Sequence, residues 1–252
     1  MRVAIERSAV VAALLVLWQG LPLVGLADPF FISSPVLVAR RIWEWLADGE
    51  LPGHVLVTTT EAFAGLVIGA VLGAGFGLVC GLWLPAQRAL LPLMTVGNAL
   101  PRLAFAPLLI AWFGFGMSSK IALSASVVFF FIFFGVYSGI RAGNQLLVAN
   151  ARVMGGRGLP LLLHVHLPQA FLWIIAGLRL SVGYAFAAAV IGEYLGADRG
   201  LGYLIVYGKE MLDMTQVFAG LAVVILIVGC LDVGLRRVAR AGSRWRGGET
   251  RL

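Results

Sequence analysis

The chain reads as an all-α, polytopic membrane protein with six transmembrane helices and both termini in the cytoplasm. Three observations point there. Of its 252 residues, 60% are hydrophobic and 12% charged, and its mean hydropathy is +0.95. The apolar residues gather into six runs, each long enough to cross a hydrocarbon core of roughly 30 Å as a helix. The Lys and Arg residues lie mostly on one side of those runs. A soluble domain carries about a quarter charged residues. The same composition excludes a disordered chain, and two cysteines exclude a disulfide scaffold.

The first run is Ser8–Leu26, preceded by Arg2 and Arg7. Gly25 and Ala27 offer the alternative of a cleaved signal peptide, but the run exceeds the usual h-region and is read as a retained helix, residues 1–26. An external segment follows over 27–56. In it Pro35 opens a surface helix, Val36–Ala47, with Val38, Ile42, Trp43 and Leu46 at helix-like spacing. Residues 57–240 form the core, with runs at Val57–Leu84, Pro92–Phe115, Ile121–Ile140, Pro168–Tyr194 and Met214–Leu235. A cytoplasmic loop, 141–168, interrupts them, and a basic tail, 241–252, closes the chain. Glycines 65, 69, 73, 77 and 81 put a smooth stripe down one face of the second run, where another backbone can approach. In the third, Pro92, Pro101 and Pro107 surround Asn98 and Arg102. Broken helix survives in a membrane only where protein or a water-filled cavity satisfies the freed groups. That run is therefore either a pathway element or a kinked packing helix.

Orientation follows from the basic residues. With the N-terminus inside, the inner segments and tail hold twelve arginines, while the outer segments hold five cations: Arg40, Arg41, Lys120, Arg199 and Lys209. The net charge of +7 is thus a topology signal and calls for no nucleic-acid partner. Glu61, Arg102, Arg179, Glu193 and Asp232 fall within or beside the runs, where charge is costly and faces a cavity or a partner. Asp232 and Arg236 have the i,i+4 spacing of a structural pair. Asn98, Arg102, Arg179 and Glu193 are the pathway candidates; each arginine either lines the path or holds helices together.

Arg141–Pro168 is the longest cytoplasmic interruption between runs. It reads as a short helix, a glycine turn over 155–158 and a second helical piece that enters the fifth run at Pro168. Leu147, Ala151 and Met154 share a face beside Arg152, which suits docking into a partner's groove.

The spacing of Ala151, Gly155, Val165, Leu167 and Pro168 resembles the "EAA" loop of bacterial ABC-importer permeases, the binding-protein-dependent inner membrane components of MetI-like fold. Ser34-Pro35, Asp48–Leu51, Ala106–Gly116 and Gly192–Tyr203 look like the nitrate, sulfonate, taurine and bicarbonate branch, so the likeness spans nearly the whole chain. The loop departs from the pattern in having Ala149 for the motif's Glu and Asn150 for its first Ala, so a charged contact is missing. The resemblance implies a homodimer in the bacterial inner membrane that works by alternating access. A cytoplasmic ATPase would be coupled through Ala151, Arg152, Met154, Gly155, Val165, Leu167 and Pro168, and an extracytoplasmic binding protein would deliver solute. It implies no cofactor on this chain, with ATP and Mg on the partner. The cargo it suggests is a small anion such as a sulfonate, taurine, nitrate or an aromatic carboxylate, or a neutral heterocycle.

No Gly-x-x-x-x-Gly-Lys-Ser/Thr, His-Glu-x-x-His or Gly-x-Ser-x-Gly pattern occurs, which argues against a pump or a membrane enzyme. His164 and His166 would not share a helix face, so no metal site is expected. The alternative reading is a secondary transporter without an ATPase, though no internal repeat is evident.

Overall fold

The computed structural model describes residues 2–26, 28–142 and 145–243, and every regular element in them is helical. Ala27 and, of the expected tail, residues 244–252 lie outside the described residues.

Helix α1, Arg2–Leu23, ends in a glycine cap: Gly25 (φ +72°) donates to Pro22 O and Leu26 to Leu21 O. Its apolar part, Ser8–Leu23, is shorter than the helices able to span a bilayer by length and composition. A single turn, α2 (Pro29–Ile32), is capped by Asp28. Helix α3, Pro35–Ala47, starts where Ser34 Oγ accepts the Leu37 N–H and Pro35 takes the first helical position. Its buried face is Val38 and Trp45, with Ile42 packed beside them, while Trp43 and Leu46 point outward. The spacing of apolar residues alone does not separate these two faces. Burial follows the contact with the elements beneath, chiefly Leu201, Leu204, Ala219 and Val223.

Helix α4, Glu50–Leu82, begins seven residues before the apolar run, because Glu50 and Pro52 are both tolerated in a first turn. Helix α5, Leu84–Ala99, continues through Pro92. The third run breaks only at Pro101: Leu100 before it is extended (φ −71°, ψ 139°), and a short 3₁₀ turn, Arg102–Phe105, leads into α6, Ala106–Phe113. Pro107 sits in the first turn of α6, where its missing N–H costs nothing. The two halves meet at 86°.

Helix α7 is Met117–Ala142 and α8 is Gln145–Val153. After α9 (Leu159–Leu161) and a π turn (Leu162–His166) comes α10, Leu167–Gly196. Helix α11, Leu201–Glu210, which the sequence reading lacks, lies against α12, Met214–Ser243. Four helices can cross a membrane by length and composition, and five can if the bent pair counts as one span.

The centre is a sheaf of α4, α7 and α10. A Cβ added at Gly69 would meet Ala125 O at 2.5 Å, at Gly73 Phe129 O at 2.5 Å, and at Gly77 Phe133 O at 2.9 Å. The stripe therefore lets the α4 backbone lie directly on that of α7. On the other side of α7, Gly139 faces the Trp173 ring and Gly177 of α10 admits Ile132 Cδ1.

Candidate functional site

Four places carry the polar residues singled out by sequence, and the cytoplasmic-type loop is the first. Helix α8 stops in a complete glycine cap: Gly155, at φ +88°, donates to Arg152 O at 3.0 Å, and Gly156 donates to Ala151 O at 2.8 Å. Only a residue at ease with positive φ suits that position. Val153 and Met154 at this tip are each 88% exposed, and Leu147 is exposed beside them. Ala151 is half-buried and Arg152 exposed. The π turn stands just ahead of Pro168, whose missing N–H removes the regular helical bond there. Val165 and Pro168 are half-buried and Leu167 is exposed. Beneath the loop lies a cavity of about 420 Å³ lined by Gly81, Ile140, Arg141, Val148, Arg152 and His166. His166 Nδ1 is buried without a partner, and burial together with Arg152 holds its pKa below the ordinary value.

The second place is the break at Pro101. Arg102 Nη2 donates to Asn98 O at 3.0 Å and to Asn98 Oδ1, and the guanidinium lies 4.5 Å from the Phe130 ring centroid. Asn98 and Arg102, joined as candidates by sequence, are thus one unit. Arg102 borders a cavity of about 310 Å³ formed by Leu100, Pro101, Leu103, Val127, Phe131, Tyr184, Ala187 and Ala188. Arg179 is elsewhere: its Nε pairs with Asp232 Oδ1 at 3.2 Å, tying α10 to α12. Asp232 therefore reaches across to another helix rather than serving only its own, and the side chain of Arg236 lies outside those described.

Glu193, the last pathway candidate, is 0% exposed and borders none of the three cavities described here. Its Oε1 accepts from Thr58 Oγ1 at 2.6 Å and its Oε2 from the Gly202 N–H at 2.6 Å. Thr58 Oγ1 also accepts the Leu201 N–H, and His54 Nδ1 accepts the Gly200 N–H. Lys120 is buried in the first turn of α7 and not in an outer loop. It donates to Phe115 O, to Gly116 O at 3.2 Å and to Gly196 O at 2.6 Å, and so fastens α7 to the end of α10. Sequence reasoning missed Thr58 and Lys120. The glycines of Gly192–Tyr203 were the available signal, since a Cβ at Gly200 or Gly202 would collide with the Glu193 carboxylate.

A third and larger cavity, about 550 Å³, opens between α3, α4 and α11, where Glu50, His54, Asp198, Arg199 and Tyr207 mix both signs of charge.

Residues 65–243 match the family described as "Binding-protein-dependent transport system inner membrane component". The chain is 31% identical over 235 residues to a putative aliphatic sulfonates transport permease protein, SsuC, of Bacillus subtilis, covering 93% of this chain and 85% of that one. It is 34% identical over 235 residues to a riboflavin transport system permease protein, RibX, of Chloroflexus aurantiacus, covering 92% and 87%. In fold it is similar to a chain of the MetNI methionine ABC transporter in inward-facing conformations, with TM-score 0.67 and 19% identity over 76% of this chain and 94% of that one. The chain belongs to the binding-protein-dependent inner membrane components: it is a multi-pass permease subunit of an ABC importer, and ATP hydrolysis takes place on a partner subunit.

Proposed function

We propose that the chain works as a homodimer that docks a cytoplasmic ATPase on loop 141–168 and passes a small organic anion received from an extracytoplasmic binding protein. The observation that carries the ATPase contact is the tip of α8. There two apolar side chains, Val153 and Met154, stand exposed on a helix whose end is fixed by the Gly155 cap. A rigid apolar knob beside Arg152 is a fit for a groove on a partner. Because Ala149 offers no charge, coupling rests on Arg152, Met154 and Gly155, with Ala151, Val165, Leu167 and Pro168 holding the loop to α10. ATP binding on the partner favours one of two global arrangements and so shifts the population between inward- and outward-open states. The chain binds no cofactor in this reading. The mixed-charge cavity at Glu50, His54, Asp198 and Arg199 suits the binding protein's contact, because paired charges set register and encounter rate. With α1 as a further span, both termini are cytoplasmic.

The test is reconstitution of the permease, ATPase and binding protein in liposomes. Solute and binding protein should stimulate ATP hydrolysis and uptake in the wild type. Gly155→Leu should uncouple the two while inserting at normal level. Uptake driven by an ion gradient without the ATPase would restore the secondary-transporter reading, and normal uptake in Gly155→Leu would remove the loop from the coupling role.

A further inference from the structure

The two membrane arginines differ in what surrounds them. Arg179 has a carboxylate at 3.2 Å. Arg102 forms no ion pair among the described residues: Nη2 is held by Asn98, Nε is buried without a partner, and Phe130 covers one face. Two neutral helix-turn acceptors and a ring leave a full positive charge uncompensated at a broken helix inside a membrane protein, an arrangement that costs a few kcal/mol on insertion scales. Next to it lies a cavity of about 310 Å³, at the lower end of the range of small-molecule sites. Phe131 and Tyr184, stacked with centroids 4.7 Å apart, make one wall, and Val127, Ala187 and Ala188 are among the rest. No acidic side chain lines it.

We propose that this cavity is a solute station for organic monoanions with an apolar body: the sulfonate or carboxylate meets Arg102 Nη1, the guanidinium nitrogen that neither holds Asn98 nor is buried, and the body packs on the Phe131–Tyr184 wall. The proposal rests on the importer reading and narrows its cargo. Nη1 gives one oxygen of such a head group a charge-assisted bond, which gains strength against an apolar lining. An inorganic anion such as nitrate would lose its hydration shell against an apolar lining that returns nothing but Arg102. A zwitterion such as taurine would bring an ammonium into a cavity without a carboxylate to receive it. Asn98 is a positioning residue, since its two oxygens hold the guanidinium at the cavity edge.

The test is equilibrium binding of radiolabelled benzenesulfonate to the permease–ATPase complex in nanodiscs without binding protein, with hexanesulfonate, taurine, nitrate and riboflavin as competitors. Benzenesulfonate should bind and hexanesulfonate should displace it, while taurine, nitrate and riboflavin compete at least about tenfold more weakly. Arg102→Gln should weaken binding at least about tenfold, as should Ala187→Trp, which fills the cavity without touching the charge. Arg102→Lys keeps the charge and should fall between. Unchanged binding in both Arg102→Gln and Ala187→Trp, or equal competition by taurine or nitrate, overturns the proposal. So does an absence of binding in a complex whose ATPase still answers to its binding protein, and that result leaves the importer reading standing. Binding of benzenesulfonate by a complex that never couples to ATP would instead keep the station and remove the ATPase-docking reading of loop 141–168.

Discussion

Glu193 is held between α4 and the segment that follows it. Its two oxygens receive Thr58 and the Gly202 N–H, and Gly200, at φ +118°, brings the chain back so closely that a side chain there would strike the carboxylate. Replacing it with Leu orphans the buried Gly202 N–H, at a cost of about 1–3 kcal/mol, and leaves the Thr58 hydroxyl only His54 O as an acceptor. Glu193→Leu should therefore lower the thermal midpoint in detergent clearly, and Glu193→Gln, which keeps one acceptor, less so. A Glu193→Leu protein as stable as wild type would refute the holding role. At the loop tip, a Cβ on Gly155 meets open space, so Gly155→Ala acts through the backbone alone. Its cost is roughly 1 kcal/mol of local strain, and it should impair coupling less than Gly155→Leu. His166 titrates against the same loop. Burial and Arg152 depress its folded pKa, so its contribution to stability is full above the ordinary imidazole value and is lost as pH falls below it toward the folded one. Loop protection measured by hydrogen exchange should decline on acidification below about pH 6.5, and His166→Gln should flatten that decline.

Helix α4 brings its backbone onto α7 along the glycine face, with Leu66, Ala70, Ala74 and Leu78 packing alongside, and this gives a sharp comparison between two glycines in one helix. Gly73 faces Phe129 O and Ile132, whereas nothing lies within 4 Å of a Cβ at Gly75. Gly73→Val should cost about 1–3 kcal/mol or more, because a carbonyl on a packed helix cannot move aside. Gly75→Val should be tolerated. Yield of folded protein and thermal midpoint read both, and equal behaviour would place the α4–α7 contact elsewhere. The repeat of glycines every fourth residue was legible as a close-approach face. Its partner was not, because a smooth face accepts any helix and the choice of α7 depends on side chains distant in sequence. The broken third run shows the converse. Three prolines stand in it, yet Pro92 stays within α5 and Pro107 begins α6, so only Pro101, with extended Leu100 before it, interrupts the helix. Pro107 is accommodated by its first-turn position, while α5 carries Pro92 in its interior without a break, so proline alone does not mark where the run divides.

Across the whole molecule, α10 is joined to its neighbours by glycine contacts with α7, by Lys120 at one end and by Arg179–Asp232 on the α12 side. The last tie predicts non-additive mutants: Arg179→Gln and Asp232→Asn each remove the same contact, and the double variant loses it only once. Thermal unfolding should show the double variant more stable than the sum of the singles implies, by up to about 1 kcal/mol for a pair this exposed, and strict additivity would dissolve the pair. The sequence by itself determined the all-helical membrane class, the five apolar runs that the structure carries as long or bent helices, and the glycine-capped loop, whose residues match where the helix ends and turns. Those features are local: hydropathy over twenty residues, a cap over six, a proline's missing N–H. What only the tertiary structure decided is which charge meets which. Thr58 and Glu193 are separated by dozens of positions, as are Lys120 and Gly196, and Arg179 and Asp232, yet each pair is in contact. The sequence lists Arg102 and Arg179 as equals. Packing gives a carboxylate to one and leaves the other beside an apolar cavity, because electrostatic compensation depends on distance in space, which spacing along the chain does not fix.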